Sequence, residues 1–99
     1  MNANATLVVT ATPNPDEMDS VQGYLRGVLP LLKVAGGKPV KRLKVGNVIV
    51  GNSSGMVLVM DFDSAEAIGT LFESDEYAAL VPMRDRGFAE MNILVTHEM

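Results

Sequence analysis

Four apolar segments with strand character alternate with two helical regions along this chain. The segments are Ala5 to Ala11, Lys38 to Val45, Met56 to Phe62 and Met91 to Glu98. The first and last alternate polar with apolar residues, which is typical of strands. The third is almost continuously apolar and predicts a central strand, whereas the proline and charges of the second predict an edge strand. The element order is therefore βαββαβ.

The first helical region lies between the first two strands. Asn14 as N-cap and Pro15 as first helical residue predict its start, and Gly36-Gly37 predicts its end. Pro30 inside the region removes one backbone hydrogen bond and predicts a kink. Apolar residues at spacings of three and four predict the buried face. These residues are Met18, Val21, Leu25, Val28, Leu32 and Ala35.

The second helical region follows the third strand and has a break within it. Asp63 is the predicted N-cap of its first part, and Ser74 or Asp75 is the predicted N-cap of a restart that ends at Gly87. The inward residues of the first part are Ile68, Leu71 and Phe72, and the restart carries Tyr77, Leu80 and Arg84 on one side.

The connection between the second and third strands predicts a hairpin. Its turn is Asn52-Ser53-Ser54-Gly55, preceded by a short apolar run from Val48 to Val50.

These elements fold most simply as a ferredoxin-like α+β domain, an antiparallel sheet with both helical regions on one face. The other face of the third strand carries Val57, Val59 and Asp61, so the bare side of the sheet is itself apolar around one carboxylate. A small domain must cover such a face. The sequence therefore predicts a homodimer that pairs through the sheet.

Composition limits the function classes that remain. The 99 residues contain no linker-like segment, which predicts one domain spanning residues 1–99. Apolar runs fall far short of the roughly 20 residues of a membrane span, and the N-terminus lacks a secretory signal, so we expect a cytoplasmic protein without a membrane partner. The net charge of −4 disfavours nucleic acid as a partner. With zero cysteines and one histidine, we predict neither a metal site nor a cofactor.

The stretch from Val57 to Arg84 resembles the second half of a bacterial family catalogued as domain of unknown function 1330. The residues that carry the resemblance are Asp61-Phe62, Ser74 with Tyr77, Arg84 and, more loosely, Pro30, Gly36-Gly37 and Arg42. The chain departs from the family pattern where Leu43-Lys44 replaces a glycine pair and where Asp61 stands in place of the commoner glutamate.

The resemblance implies membership of the dimeric α/β-barrel superfamily, with a ferredoxin-like fold and a homodimer. Superfamily relatives include cofactor-free monooxygenases, small isomerases, haem-degrading enzymes and ligand-sensing modules. The fold therefore does not select one activity.

Two candidate residues lie on the predicted strands. Asp61 is the best acid-base candidate, since burial on the strand face that it shares with Val57 and Val59 would raise its pKa; the alternative is a strand-end residue that begins the helix cap. Arg42 belongs to a cluster that holds half of the eight basic residues. It either protects a solvated edge strand or turns toward the bare face to attract a small anion.

Three further candidates lie later in the chain. Tyr77 and Arg84 share a helix side, where the arginine either packs on the ring and pairs with an acid or binds a ligand. His97 is the sole imidazole and is either a general base or an exposed residue at the end of a strand.

Two function hypotheses follow from these residues. In the first, the domain binds a small, anionic molecule or acts as a cofactor-independent enzyme, with a cleft between sheet and helices bordered by Asp61, Tyr77, Arg84 and Arg42. In the second, it is a non-catalytic sensor or assembly module whose sheet face serves dimerisation. Convergence of Asp61 with Arg84 in a pocket would favour the first hypothesis.

Overall fold

The computed structural model describes residues 4–52 and 55–99. Within these residues the chain forms four strands, four α-helices and one 3₁₀ turn, in the predicted βαββαβ order with the second helical region divided into three. The elements are β1 (Ala5–Pro13), the 3₁₀ turn (Pro15–Glu17), α1 (Met18–Val34), β2 (Lys38–Lys44), β3 (Met56–Phe62), α2 (Ala65–Phe72), α3 (Asp75–Ala78), α4 (Val81–Gly87) and β4 (Phe88–Thr96).

The four strands form one antiparallel sheet in the order β2-β3-β1-β4. This is the ferredoxin-like arrangement that the sequence predicts. β2 lies at an edge with every residue exposed, and β3 lies in the interior of the sheet, as its apolar composition indicates. The β2–β3 pairing shifts register between Pro39 and Lys41, which places an extra residue, Val40, in the edge strand.

The core lies between the sheet and the helices. Alternate residues of β1 and β3 point toward the helices, and Leu7 and Phe62 are among the side chains that are fully buried there. The buried stripe of α1 differs from the predicted one, because Tyr24 belongs to it, Leu25 and Ala35 are only partly buried, and Met18 lies outside it. Met18 is the first residue of the helix and is 44% exposed. The buried residues of α1 are Val21, Tyr24, Val28 and Leu32.

The starts of α1 and α2 differ from the predicted ones. The Asn14 side chain accepts a hydrogen bond from the Asp16 amide at 3.0 Å, but it caps the 3₁₀ turn, and the α-helix begins three residues later than predicted, at Met18. α2 is capped by Ser64, whose Oγ accepts from the Ala67 amide at 3.2 Å, and not by Asp63. Asp63 instead lies in solvent beside Lys38.

The end of α1 and the start of α3 are those that the sequence predicts. α1 continues through Pro30 to Val34, and Gly36 then adopts a φ of +94°, a conformation that glycine tolerates best. Ser74 caps α3 by accepting from the Tyr77 amide at 3.1 Å, and its hydroxyl donates to the Leu71 carbonyl at 2.6 Å.

The β2–β3 connection is a hairpin, as predicted, although the run from Val48 to Val50 is exposed and forms no strand. Ser53 and Ser54 of the predicted turn lie outside the described residues. β4 begins at Phe88 rather than Met91, because the chain passes from α4 into the strand without a loop.

The sheet face opposite the helices carries a row of apolar side chains flanked by polar ones. Val59 of β3 lies opposite Val8 of β1, and Val57 lies opposite Leu43 of β2. Leu94 of β4 extends the row beyond Val8 and is 47% exposed. The molecule is a slab with Cα extents of 44 × 36 × 16 Å, one layer of helices on one sheet. Within the described residues, no helix is long and apolar enough to cross a membrane.

Candidate functional site

Arg84 and Tyr77 are brought into contact by the short helices α3 and α4. The Arg84 Nη1 donates a hydrogen bond to the Tyr77 hydroxyl at 3.2 Å, and the guanidinium carbon lies 5.9 Å from the centre of the tyrosine ring. α4 is held against α1 at Gly87, where an added Cβ would lie 2.8 Å from the Val21 amide nitrogen. The predicted proximity of Arg84 and Tyr77 is therefore present in the fold.

A second tyrosine, which the sequence analysis did not single out, completes the cluster. The hydroxyls of Tyr24 and Tyr77 lie 2.9 Å apart in a hydrogen bond, and both residues are buried, at 4% and 3% exposure. Tyr24 also packs edge to face on Phe88, with ring centres 5.6 Å apart. We call Tyr24, Tyr77 and Arg84 the tyrosine–arginine chain; it runs from the core to the surface.

The hydroxyls of Tyr24 and Tyr77 have more protons than their described hydrogen bonds use. The tyrosine pair has two hydroxyl protons, and the mutual bond uses one of them. Arg84 contributes its own N–H to Tyr77, and no other described residue accepts from either phenol. One phenolic proton therefore has no acceptor among the described residues.

Burial and hydrogen bonding determine the charge states of Tyr24 and Arg84. Burial raises the pKa of Tyr24 far above its ordinary value, and the hydrogen bond with Tyr77 raises it further. Tyr24 therefore stays neutral at physiological pH and does not act as a general base there. The hydrogen bond to Tyr77 raises the pKa of Arg84 despite an opposing effect of burial, so the guanidinium keeps its charge.

Asp85 accepts from some of the N–H donors of the Arg84 guanidinium. The Arg84 Nε donates to Asp85 Oδ1 at 3.1 Å, and Nη2 lies 3.1 Å from the same oxygen. An arginine has five N–H donors, and the contacts with Tyr77 and Asp85 use at most three of them. Among the described residues nothing else accepts from Arg84, so at least two of its donors are left for another acceptor, and its side chain is 29% exposed.

Two spaces adjoin the tyrosine–arginine chain. The outer groove is an open depression of about 570 Å³ that contains Arg84. The inner cavity, of about 40 Å³, lies between α1 and the sheet and is bordered by Tyr24. The outer groove is lined by Arg84, Asp85, Phe88, Ala89, Glu90, Met91 and Ile93.

Asp61 does not join this site. Its neighbours Met60 and Phe62 are buried toward the helices, so strand alternation turns Asp61 to the opposite face, where it is exposed. Its Oδ1 accepts a hydrogen bond from Thr6 Oγ1 at 2.8 Å. The expected cleft bordered by both Asp61 and Arg84 is therefore wrong, and the two residues form neither a pocket nor an ion pair.

Arg42 lies elsewhere as well. It stands opposite Leu58 in the β2–β3 ladder, and Leu58 packs against the core, so Arg42 is on the helix side at the sheet edge. There it borders a groove of about 230 Å³ with Leu25 and Leu29 of α1. The hypothesis that Arg42 turns toward the bare face is wrong, because the register places Lys41 and Leu43 there instead.

His97 follows the last residue of β4 and is exposed, without a hydrogen bond or ion pair to any described residue. This placement favours the interpretation as an exposed residue at the strand end. Across residues 4–52 and 55–99, no three histidine, cysteine or acidic side chains are grouped as metal ligands.

Comparison with known proteins identifies the family. The family model described as a domain of unknown function, DUF1330, matches residues 6–99. The chain belongs to this family. The resemblance drawn from its sequence is thereby confirmed, and no curated protein matches the chain.

Solved structures similar to this DUF1330 protein share its fold. A protein of unknown function from Rhodopseudomonas palustris superposes with a TM-score of 0.81 at 14% identity, covering 100% of this chain and 85% of that one. A Nitrosomonas europaea protein, whose name assigns it to the antibiotic biosynthesis monooxygenases, superposes with a TM-score of 0.69 at 12% identity. The match covers 100% of this chain and 93% of that one. A Bacteroides fragilis protein, described as dimeric, of unknown function and ferredoxin-like, superposes with a TM-score of 0.62 at 11% identity, covering 97% of both chains.

Proposed function

We propose that this DUF1330 protein is a homodimeric domain that binds a small organic anion at Arg84. The observation that carries the proposal is the partly exposed guanidinium in the outer groove, held by Tyr77 and retaining at least two N–H donors. An arginine fork binds a carboxylate through two parallel hydrogen bonds. A cation that is already positioned loses little side-chain entropy on binding.

The homodimer is the second part of the proposal. The outer sheet face presents the apolar row of Val8, Val57, Val59 and Leu94, which no layer of described residues covers, and an uncovered apolar row of this kind supports an interaction surface. A similar structure is described as dimeric. Pairing through the sheet leaves the helix layer, and hence Arg84, on the outside of the dimer.

An enzymatic role at the same site is the second candidate. The phenolic proton of the Tyr24–Tyr77 pair that has no described acceptor favours it, because a phenol hydrogen-bonded to the anion-binding guanidinium can donate a hydrogen bond or a proton to a reacting oxygen that reaches it. One of the structurally similar proteins carries a monooxygenase name. The assembly-module hypothesis, in contrast, requires nothing of Arg84.

Substitution of Arg84 tests anion binding directly. We expect acetate and propionate to raise the melting temperature of the wild-type protein, since a ligand that binds the native state stabilises it. In Arg84→Lys the rise should fall by more than half while the melting temperature without ligand changes little, because lysine keeps the charge and loses the fork. Arg84→Ala should lose the effect of both carboxylates entirely.

Arg86→Lys on the same helix is the matched control and should retain the full response. If Arg84→Lys lowers stability but leaves the carboxylate response unchanged, Arg84 belongs to the fold and the proposal fails. The domain would then be better explained as an assembly module.

A further inference from the structure

The outer groove and the inner cavity are neighbours separated by a thin wall. Phe88, Met91 and Ile93 line both spaces. Met91 and Ile93 are only partly buried, and a methionine side chain is flexible enough to change rotamer at low cost. A chain-like group that starts in the outer groove therefore has a short route into the inner cavity past Met91.

The two spaces have opposite chemistry. The inner cavity has one polar side chain in its lining, Tyr24, and the rest is aliphatic or aromatic. A buried water requires two to four polar partners, so this cavity suits hydrocarbon better than water. The outer groove supplies the guanidinium of Arg84. A ligand that fits both spaces has an anionic head and an apolar tail.

Charge near Arg84 decides what kind of head group fits. Asp85 already lies within 3.1 Å of the guanidinium, and Glu90 also lines the outer groove. A second full negative charge on the ligand would be repelled by both carboxylates. A monocarboxylate therefore fits better than a phosphate dianion.

The size of the inner cavity decides what kind of tail fits. Its 40 Å³ is well below the ~150 Å³ of a cavity known to accept benzene in another protein. A short, unbranched alkyl chain is compatible with this volume, whereas an aromatic ring is not.

We propose that the ligand is a short-chain aliphatic monocarboxylate, with its carboxylate on Arg84 and its tail in the inner cavity beside Tyr24. The proposal rests on the function proposed above and specifies its ligand class. It makes chain length, rather than charge alone, the determinant of affinity.

A homologous series of carboxylates tests this assignment. Acetate, propionate, butyrate, pentanoate and hexanoate are titrated into the full-length protein by calorimetry at constant pH and ionic strength. Affinity should rise about fourfold per added methylene, the gain expected for burying one CH₂. The rise should stop after about two methylenes, when the tail fills the cavity. Inorganic phosphate should bind more weakly than butyrate.

A cavity-filling variant sharpens the test. Val28 lines the inner cavity and is 4% exposed, so Val28→Ile adds one methylene there. We expect the optimal chain to shorten by one carbon while acetate affinity stays within about twofold, with folding checked by circular dichroism. Val95→Ile in β4 makes the same change outside both spaces and should leave the series unaltered.

The outcomes separate this inference from the underlying function. Equal affinity for all five acids, abolished by Arg84→Lys, overturns the tail assignment and leaves anion binding at Arg84 intact. Tighter binding of phosphate than butyrate overturns the monocarboxylate assignment. Absence of binding by every acid and by phosphate overturns both proposals.

Discussion

Tyr24 shows how burial of one phenol links stability to pH. Its pKa in the folded protein lies above the ordinary value of 10.0, whereas the unfolded chain ionises near that value. As pH rises, the unfolded chain therefore loses its proton first. The stability contribution of this residue is complete below pH 10 and declines above it.

We predict that Tyr24→Phe reduces the alkaline loss of stability. Above pH 10 the wild type should lose about 1.4 kcal/mol per pH unit more than the variant, the slope for one proton. At neutral pH the variant should be about 1 kcal/mol less stable because the hydrogen bond to Tyr77 is gone. Urea unfolding at a series of pH values measures both effects, and parallel stability curves would contradict the assignment.

Part of the site could be predicted from the sequence, and part of it could not. Tyr77 and Arg84 were predicted together because helical spacing places residues seven apart on one side. Tyr24 lies 53 residues from Tyr77 and meets it through tertiary packing, which one sequence does not encode visibly. Its position between Val21 and Val28 on the same helical stripe was the available signal. Asp61 was assigned to the wrong cleft although its alternation with Met60 and Phe62 indicated the outer face.

Among the elements, α3 depends on its cap. A helix of four residues has little internal hydrogen bonding, so the contacts of Ser74 with the Tyr77 amide and the Leu71 carbonyl hold the turn that presents Tyr77. The strands were predicted well because two-residue periodicity is a local property. The helix starts were predicted less well, because Asp63 and Ser64 are both good capping residues and the local geometry selects between them.

We predict that Ser74→Ala lowers the free energy of unfolding by about 1 kcal/mol, the usual cost of a lost N-cap. Asp63→Ala is the matched control and should change it by less than about 0.5 kcal/mol, because that side chain is 87% exposed and caps no helix. Chemical denaturation of the two variants measures the difference. An equal loss in both would show that Asp63 stabilises α2 after all.

At the scale of the whole molecule, the proposed assembly is a homodimer that pairs through the outer sheet face. We predict that the wild type sediments at micromolar concentration with twice the 10.6 kDa mass of the chain. Val59→Glu should dissociate or unfold the protein, since it places an unpaired carboxylate within the apolar row formed with Val8. Val34→Glu makes the same change at an 89% exposed position in the helix layer and should remain dimeric. A wild-type monomer, or a stable Val59→Glu dimer, would contradict sheet-face pairing.

Because the molecule is thin, changes in the size of the inner cavity also change the stability of the fold. Because 16 Å accommodates one sheet and one helix layer, the inner cavity lies within the same apolar interlayer that holds the protein together. Enlarging it to admit a bulkier tail would remove packing from that interlayer, at a few kcal/mol for each large side chain shortened. New specificities would therefore arise more readily by reshaping the outer groove, where substitutions are tolerated, than by hollowing the interior.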